Sequence, residues 1–166
     1  TIISFRLRGH LRAELDPLGV PRPALPHIAD LGLVSASHFS DKELNTLVDP
    51  LDTFVEKPVQ LKRVLDRMRK TYTSHIGVEF GQIYNSDRRR WLMHRMEHSE
   101  NTTTFTKEEQ LRILRKLTEA ETFETTTNTK FQAVKRFSVE GGEAQVAMID
   151  AFLELGGDLG VTEVVF

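Results

Sequence analysis

The stretch Lys135-Arg136-Phe137-Ser138-Val139-Glu140-Gly141-Gly142-Glu143 most restricts the fold, because an aromatic and a hydroxyl sit directly before a Gly pair and an amphipathic segment follows it. Behind it, residues 144–155 carry apolar groups at helical spacing. Gly160-Val161-Thr162-Glu163-Val164-Val165-Phe166 then reads as the first strand of a sheet. A loop, a helix and a strand in that order form the entrance to an α/β domain. The chain stops on that strand, so it is expected to be a piece of a larger enzyme, cut before its chemistry. The expected fold class is therefore mainly α leading into a truncated α/β region.

Ahead of this stretch the pattern is helical. Residues 1–13 place Ile2, Ile3, Phe5, Leu7 and Leu11 along a loosely helical face with basic neighbours. Asp16-Pro17-Leu18-Gly19 forces a turn, since Pro fixes φ and Gly admits the left-handed region. Pro17, Pro21, Pro23 and Pro26 then forbid a long regular element, while Leu25, Ile28, Leu31, Leu33 and Val34 anchor an ordered crossing segment. Ser40-Asp41-Lys42-Glu43 is a capping box that should open a helix through Leu47. A second helix is expected near 59–72, with Leu61, Val64, Leu65 and Met68 on one face. His75-Ile76-Gly77-Val78-Glu79-Phe80 alternates poorly and should be extended or irregular. Ser86-Asp87 should cap a helix that turns Trp91, Leu92 and Met96 inward and most of its arginines outward. Thr106-Lys107-Glu108-Glu109 is a second capping box, opening a helix with Leu111, Leu114 and Leu117 at helical spacing. Residues 122–130 continue as another helix despite their Thr run. The expected divisions are a Pro-rich crossing segment with a short helix (1–39), a helical region (40–130) and the start of an α/β domain (131–166).

Candidate chemistry is sparse. His94 and His98 stand four apart on a helix, a spacing that could grip a metal, but no Glu follows His94 and a solvated pair is the plainer reading. His10, after Gly9, suits a structural hydrogen bond. Arg88-Arg89-Arg90 could meet a nucleotide or a partner, but a solvated face paired with Asp87 and Glu97 is the plainer reading. At Glu140-Gly141-Gly142-Glu143 a tight helix entry and a ligand contact both fit; it is neither a dinucleotide fingerprint nor a P-loop. Twenty-two basic and 24 acidic residues leave a net charge of −2, which points to no nucleic-acid or anionic-membrane partner. No cysteine is present, which excludes disulfides, thiolate nucleophiles and Cys-ligated zinc within the segment. No apolar run approaches the roughly 20 residues needed to span a bilayer.

Four landmarks together resemble the E1 component of 2-oxoglutarate dehydrogenase. They are Arg8-Gly9-His10 with Leu15-Asp16-Pro17-Leu18-Gly19; Thr71-Tyr72 with His75-Ile76-Gly77-Val78-Glu79-Phe80; Arg90-Trp91-Leu92; and residues Lys135 to Glu143. The resemblance implies a helical region to about Lys130, followed by the start of a thiamine-diphosphate-binding α/β domain. It implies an intact enzyme that decarboxylates 2-oxoglutarate with thiamine diphosphate and Mg²⁺ and passes a succinyl group to the lipoyl arm of E2. The implied partners are dihydrolipoyl succinyltransferase (E2), dihydrolipoyl dehydrogenase (E3) and a second E1 subunit, in the citric-acid cycle of the mitochondrial matrix or, alternatively, bacterial cytoplasm. The family's Gly-x-x-His-Arg-Gly and Gly-Asp-Gly…Asn elements, which hold the cofactor and metal, do not occur here. Hence no catalytic, cofactor-binding or metal residue is assigned within this chain, and the fragment alone is expected to be inactive. Arg136, Phe137 and Ser138 would border the substrate channel, with Phe137 as a wall residue.

Two departures accompany the resemblance. Some animal members bind Ca²⁺ through positions that read Leu11, Ala24 and Pro26 here, none of which offers a hard oxygen ligand, so no such site is expected. Thr73 stands where relatives commonly carry Cys, a change that bears on packing. The nearest rival is a 2-oxoadipate dehydrogenase E1, in which Tyr-Gly-Gly usually replaces Phe137-Ser138-Val139. A rival from another class is a non-catalytic interaction module derived from such an E1, which would leave Val164-Val165-Phe166 exposed.

Overall fold

A computed structural model describes residues 2–20, 33, 36–51 and 57–166. The chain divides into two compact units, Thr1–Thr103 and Thr104–Phe166. Most of the Pro-rich crossing, with Pro21, Pro23, Ala24, Leu25, Pro26, His27, Ile28, Leu31 and Val34, lies outside the described residues.

The first unit is built around one helix. α1 (Ile2–Arg8) is followed by a 3₁₀ turn (Gly9–Arg12), as the apolar spacing of 1–13 leads one to expect. The Asp16 turn forms: its carboxylate accepts the Leu18 N–H at 2.8 Å and the Val20 N–H at 3.1 Å, and Gly19 takes φ +65°. A second 3₁₀ turn (Ala36–His38) precedes α2 (Asp41–Leu44), which opens on the Ser40–Glu43 capping box. That helix stops earlier than its pattern predicts. Asn45 Nδ2 bonds the Asp41 carbonyl at 2.8 Å and Thr46 Oγ1 bonds the Lys42 carbonyl at 3.1 Å, closing the last turn. Leu47 then leaves the helix for β1 (Leu47–Val48), antiparallel to β2 (Val59–Gln60), with Leu47 opposite Gln60 and Val48 opposite Val59.

β2 runs straight into α3 (Leu61–Thr73), so the helix expected from residue 59 begins two residues later. Its apolar stripe lands where the spacing puts it. Val64, Leu65, Met68 and Tyr72 are buried, and three of them join Phe5, Val59 and Phe80 in the core. The Tyr72 and Phe80 rings stack at 6.1 Å between centroids. Residues 75–80 are irregular, as expected, and bring Phe80 to that core.

α4 (Ser86–Ser99) departs from expectation in three respects. Its N-cap is Asn85, whose Oδ1 accepts the Asp87 and Arg88 N–H groups at 3.0 Å each, so Ser86 is already inside the helix. Trp91, expected inward, is 64% exposed; Met96 packs on the core as expected, and Met93 joins it there. Glu97, expected on a solvated face beside the arginines, is fully buried. Arg6 forks onto its carboxylate at 2.7 and 2.9 Å, and the Tyr72 hydroxyl donates to it at 2.7 Å. This charged contact ties α1, α3 and α4 together. Past α4, Glu100 and Asn101 adopt left-handed φ of 52° and 50°, and Asn101 Nδ2 bonds the Thr71 carbonyl at 2.8 Å.

The second unit is a helix pair. α5 (Lys107–Lys130) opens on the Thr106–Glu109 capping box and runs unbroken through 122–130, so the two helices expected there are one. α6 (Ala144–Asp158) returns beside it. Arg112 bridges Asp150 at 2.6 Å and Glu154 at 3.0 Å, while Lys116 reaches Asp150 at 3.5 Å. Residues 161–166, read as a strand from sequence, enter no ladder among the described residues. A strand is defined by its pairing, and among the described residues only β1 and β2 pair. The mainly helical class with a minor sheet component matches the expectation.

Candidate functional site

The loop between α5 and α6, residues 131–143, carries all three candidate site residues. α5 ends because Phe131 leaves the helical region and Ala133 takes φ +63°, which turns the chain back along its own helix. Arg136 then reaches back. Its guanidinium donates to the Phe131 carbonyl at 2.7 Å, to the Val134 carbonyl at 3.4 Å and to Asn128 Oδ1. One charged fork thus closes the turn onto the last helical residues of α5.

Two residues later a second anchor forms. Ser138 Oγ donates to the Glu124 carboxylate, 3.1 and 3.2 Å from its two oxygens, and the Val139 N–H donates to the same carboxylate. Ser138 Oγ also accepts the Glu140 N–H at 3.0 Å, which winds the chain toward α6. Gly141 has φ +83°, a conformation that favours glycine, and its N–H donates to Glu143 Oε1 at 3.0 Å. Of the two readings open at Glu140-Gly141-Gly142-Glu143, this is the tight helix entry. Its amides are taken by carboxylates and a hydroxyl of the chain itself.

Phe137 stands between these anchors and makes neither. Its side chain is 94% exposed, with the Lys135 ammonium 5.9 Å from the ring centroid. Arg136 and Ser138 are therefore held by α5, while Phe137 is presented outward. Glu124 and Asn128 are the residues that reading the sequence missed. They stand one helical turn apart on α5, so one face of that helix offers two acceptors to the loop. That spacing was visible, but nothing local linked it to a loop 14 residues on.

Other candidates are placed less suggestively. His98 Nδ1 sits 2.9 Å from the His94 carbonyl, with the rings 6.0 Å apart, and no group of three or more His, Cys, Asp or Glu that could hold a metal is found among the described residues. His10 Nδ1 is buried without a hydrogen-bond partner, so the structural bond expected of it is not made there. Arg89 donates to the Ile83 carbonyl at 2.7 Å. Arg88 and Arg90 form no ion pair with Asp87 or Glu97, the latter being spent on Arg6 and Tyr72. Thr73 Oγ1 bonds the Arg69 carbonyl at 2.8 Å, a helix-internal contact. Leu11 lies in the first 3₁₀ turn; Ala24 and Pro26 are outside the described residues. An open groove of about 880 Å³ runs along α5 past Leu111, Phe123 and Phe131 without touching Glu124 or Asn128.

Comparison with known proteins supplies what this geometry lacks. No family model matches the chain. Among curated proteins, the 2-oxoglutarate dehydrogenase E1 component of Azotobacter vinelandii is 33% identical over 99% of the chain. Those of Rickettsia felis and Cupriavidus necator are each 34% identical, again over 99% of it. The chain spans only 16–17% of the length of these relatives. The match includes the 131–143 loop and both helices that flank it.

Proposed function

We propose, for a chain that matches E1 components of 2-oxoglutarate dehydrogenase along nearly all its length, that it is the part of such an E1 lying ahead of the cofactor-binding residues. In the intact enzyme the 131–143 loop lines the channel through which the 2-oxo acid reaches the reaction centre. The observation that carries this reading is Phe137: an exposed aromatic ring set between two residues pinned to α5. Such a ring gives an apolar wall at a fixed position, which is how a pocket orients a substrate's carbon chain.

Thiamine diphosphate and Mg²⁺, implied for the whole enzyme, do not fit the residues present. Mg²⁺ needs an oxygen cage, and no acidic or His cluster of three exists among the described residues. A diphosphate needs free amides, yet those of Val139, Glu140 and Gly141 already donate to Glu124, Ser138 and Glu143. On this reading the residues that bind the cofactor lie elsewhere in the enzyme, and this segment alone is inactive. Its chemical contribution is positional: it shapes and dries one side of the channel.

The enzyme's succinyl acceptor is the lipoyl arm of E2, with E3 completing the complex and a second E1 subunit completing the dimer. The bacterial relatives support the cytoplasmic alternative for its compartment over the mitochondrial matrix. The oxoadipate branch is the second reading. It is disfavoured by Ser138, because the Gly found there in that branch has no hydroxyl to bond Glu124. The test is turnover by the complete enzyme. With thiamine diphosphate and Mg²⁺ it should reduce ferricyanide on addition of 2-oxoglutarate, and far faster than on addition of 2-oxoadipate. The reverse preference moves it to the other branch, and turnover of neither removes the reading. The 166-residue chain itself should show no heat of thiamine diphosphate binding at micromolar concentration.

A further inference from the structure

Glu124 is a residue to which the resemblance assigns no role, yet its carboxylate accepts two hydrogen bonds from the loop, from Ser138 Oγ and from the Val139 N–H. We infer that Glu124 is a positioning residue for substrate selection: it latches the loop on the C-terminal side of Phe137 and so sets how deep the phenyl wall stands in the channel. The inference rests on the proposed channel role of Phe137 and adds the group that fixes it.

The geometry explains why a latch is needed. Phe137 has no packing of its own to hold it, being 94% exposed. Its position is inherited from its neighbours. On the N-terminal side Arg136 reaches Asn128 and two carbonyls at the end of α5. That anchor alone leaves the chain free to swing about a single point. Glu124, one turn further back along the same helix, supplies the second point, and two fixed points define the direction of the residue between them. A carboxylate suits the task because it accepts from a hydroxyl and an amide together, and a charged acceptor strengthens both bonds. Ser138 extends the latch by accepting the Glu140 N–H at 3.0 Å, which couples it to the entry of α6.

A latch of this kind has a signature that a merely structural residue lacks. General loss of stability reduces the amount of active enzyme and lowers kcat for every 2-oxo acid alike. A displaced wall changes the discrimination between acids of different chain length, because a shift near 1 Å in a positioning group can cost on the order of 100-fold in rate. The experiment uses the complete enzyme as wild type, Glu124→Ala, Glu124→Gln, Phe137→Ala and the Glu124→Ala/Phe137→Ala double variant. KM and kcat are measured for 2-oxoglutarate and 2-oxoadipate. Glu124→Ala should raise KM for the preferred acid and shrink the ratio of the two kcat/KM values by about tenfold or more. Glu124→Gln, which keeps one acceptor oxygen, should fall between it and wild type. The double variant should be no worse in discrimination than Phe137→Ala alone, since both changes act through one ring. Equal losses of kcat on both acids with KM unchanged, or additive effects in the double variant, overturn the inference.

A second measurement separates the latch from the channel reading. Amide hydrogen exchange across residues 136–142 of the complete enzyme should accelerate in Glu124→Ala, whatever the enzyme acts on. Unchanged exchange overturns the latch even if 2-oxoglutarate is the substrate. Accelerated exchange with no turnover of either acid keeps the latch as a loop anchor but overturns its role in substrate selection.

Discussion

Gly9 lies against Tyr72 so closely that a Cβ at Gly9 would fall 2.5 Å from the Tyr72 Cβ and 2.9 Å from the Tyr72 carbonyl oxygen. The first 3₁₀ turn therefore rides directly on the last turn of α3. Part of what it meets is backbone, which cannot swing aside as a side chain can. Gly9→Ala should destabilise the first unit by about 2 kcal/mol through overpacking alone. Urea denaturation of the variant beside wild type measures it, and a midpoint unchanged within error refutes the close approach.

Tyr72 is also the partner of Glu97, and this makes the first unit sensitive to alkali. Burial, followed by the neighbouring carboxylate charge and its hydrogen bond, raises the Tyr72 phenol well above its ordinary value of 10.0. A raised folded-state pKa contributes stability that is complete below the unfolded value and is lost as pH rises beyond it. Above pH 10 the unfolding free energy should thus fall with a slope approaching about 1.4 kcal/mol per pH unit from this group alone. Tyr72→Phe should remove that slope. In Tyr84→Phe, which leaves Tyr72 as the only tyrosine of the chain, tyrosinate absorbance should appear only with unfolding.

The buried charge itself gives a further expectation. Glu97→Gln removes the charge onto which the Arg6 guanidinium, only 14% exposed, is forked. Breaking a buried pair from one side costs about 3–5 kcal/mol. Replacing both, as Arg6→Met with Glu97→Leu, should recover most of that loss, because two apolar groups leave no unpaired charge. Thermal melts of the single and double variants decide it; a double variant no better than Glu97→Gln alone would show the charges themselves to be required.

What could be read from the sequence, and what could not, follows the range of each interaction. Both capping boxes, at Ser40 and Thr106, join residues three apart, and both form as their spacing predicts. The Asp16 turn and the apolar stripe of α3 are equally local. The β1–β2 pair was missed because a two-residue strand exists only through partners 11 and 13 residues away. Glu97 was misread as solvated because its partner Arg6 is 91 residues distant in the chain. The one available hint was a Glu placed beside Met93 and Met96, on the face of α4 that packs inward. At the 131–143 loop, the resemblance marked Arg136, Phe137 and Ser138, but Glu124 and Asn128 became visible only once α5 was a single helix with the loop folded back on it.

The start of α4 separates a cap from its neighbour. Asn85 Oδ1 accepts two helix N–H groups, whereas Ser86, the residue that sequence favours, accepts none. Asn85→Ala should cost about 1 kcal/mol, and Ser86→Ala a small fraction of that. Equal losses at the two positions would restore Ser86 as a cap.

The helix pair of the second unit should respond to acid rather than alkali. A hydrogen bond from Arg112, opposed by some burial and aided by the charges of Arg112 and Lys116, holds the Asp150 carboxyl below its ordinary value of 3.8. A depressed folded-state pKa contributes stability that is present above the unfolded value and is lost as pH falls through the folded one. The contact between α5 and α6 should therefore weaken below about pH 4. Because these side chains meet at the surface, added salt should screen them and flatten the dependence. Asp150→Asn should lower the pH sensitivity of the second unit in dilute buffer and leave little difference from wild type in 1 M salt. A variant that keeps the wild-type acid transition would place the responsible carboxylate elsewhere, with Glu154, 3.0 Å from Arg112, the next to replace.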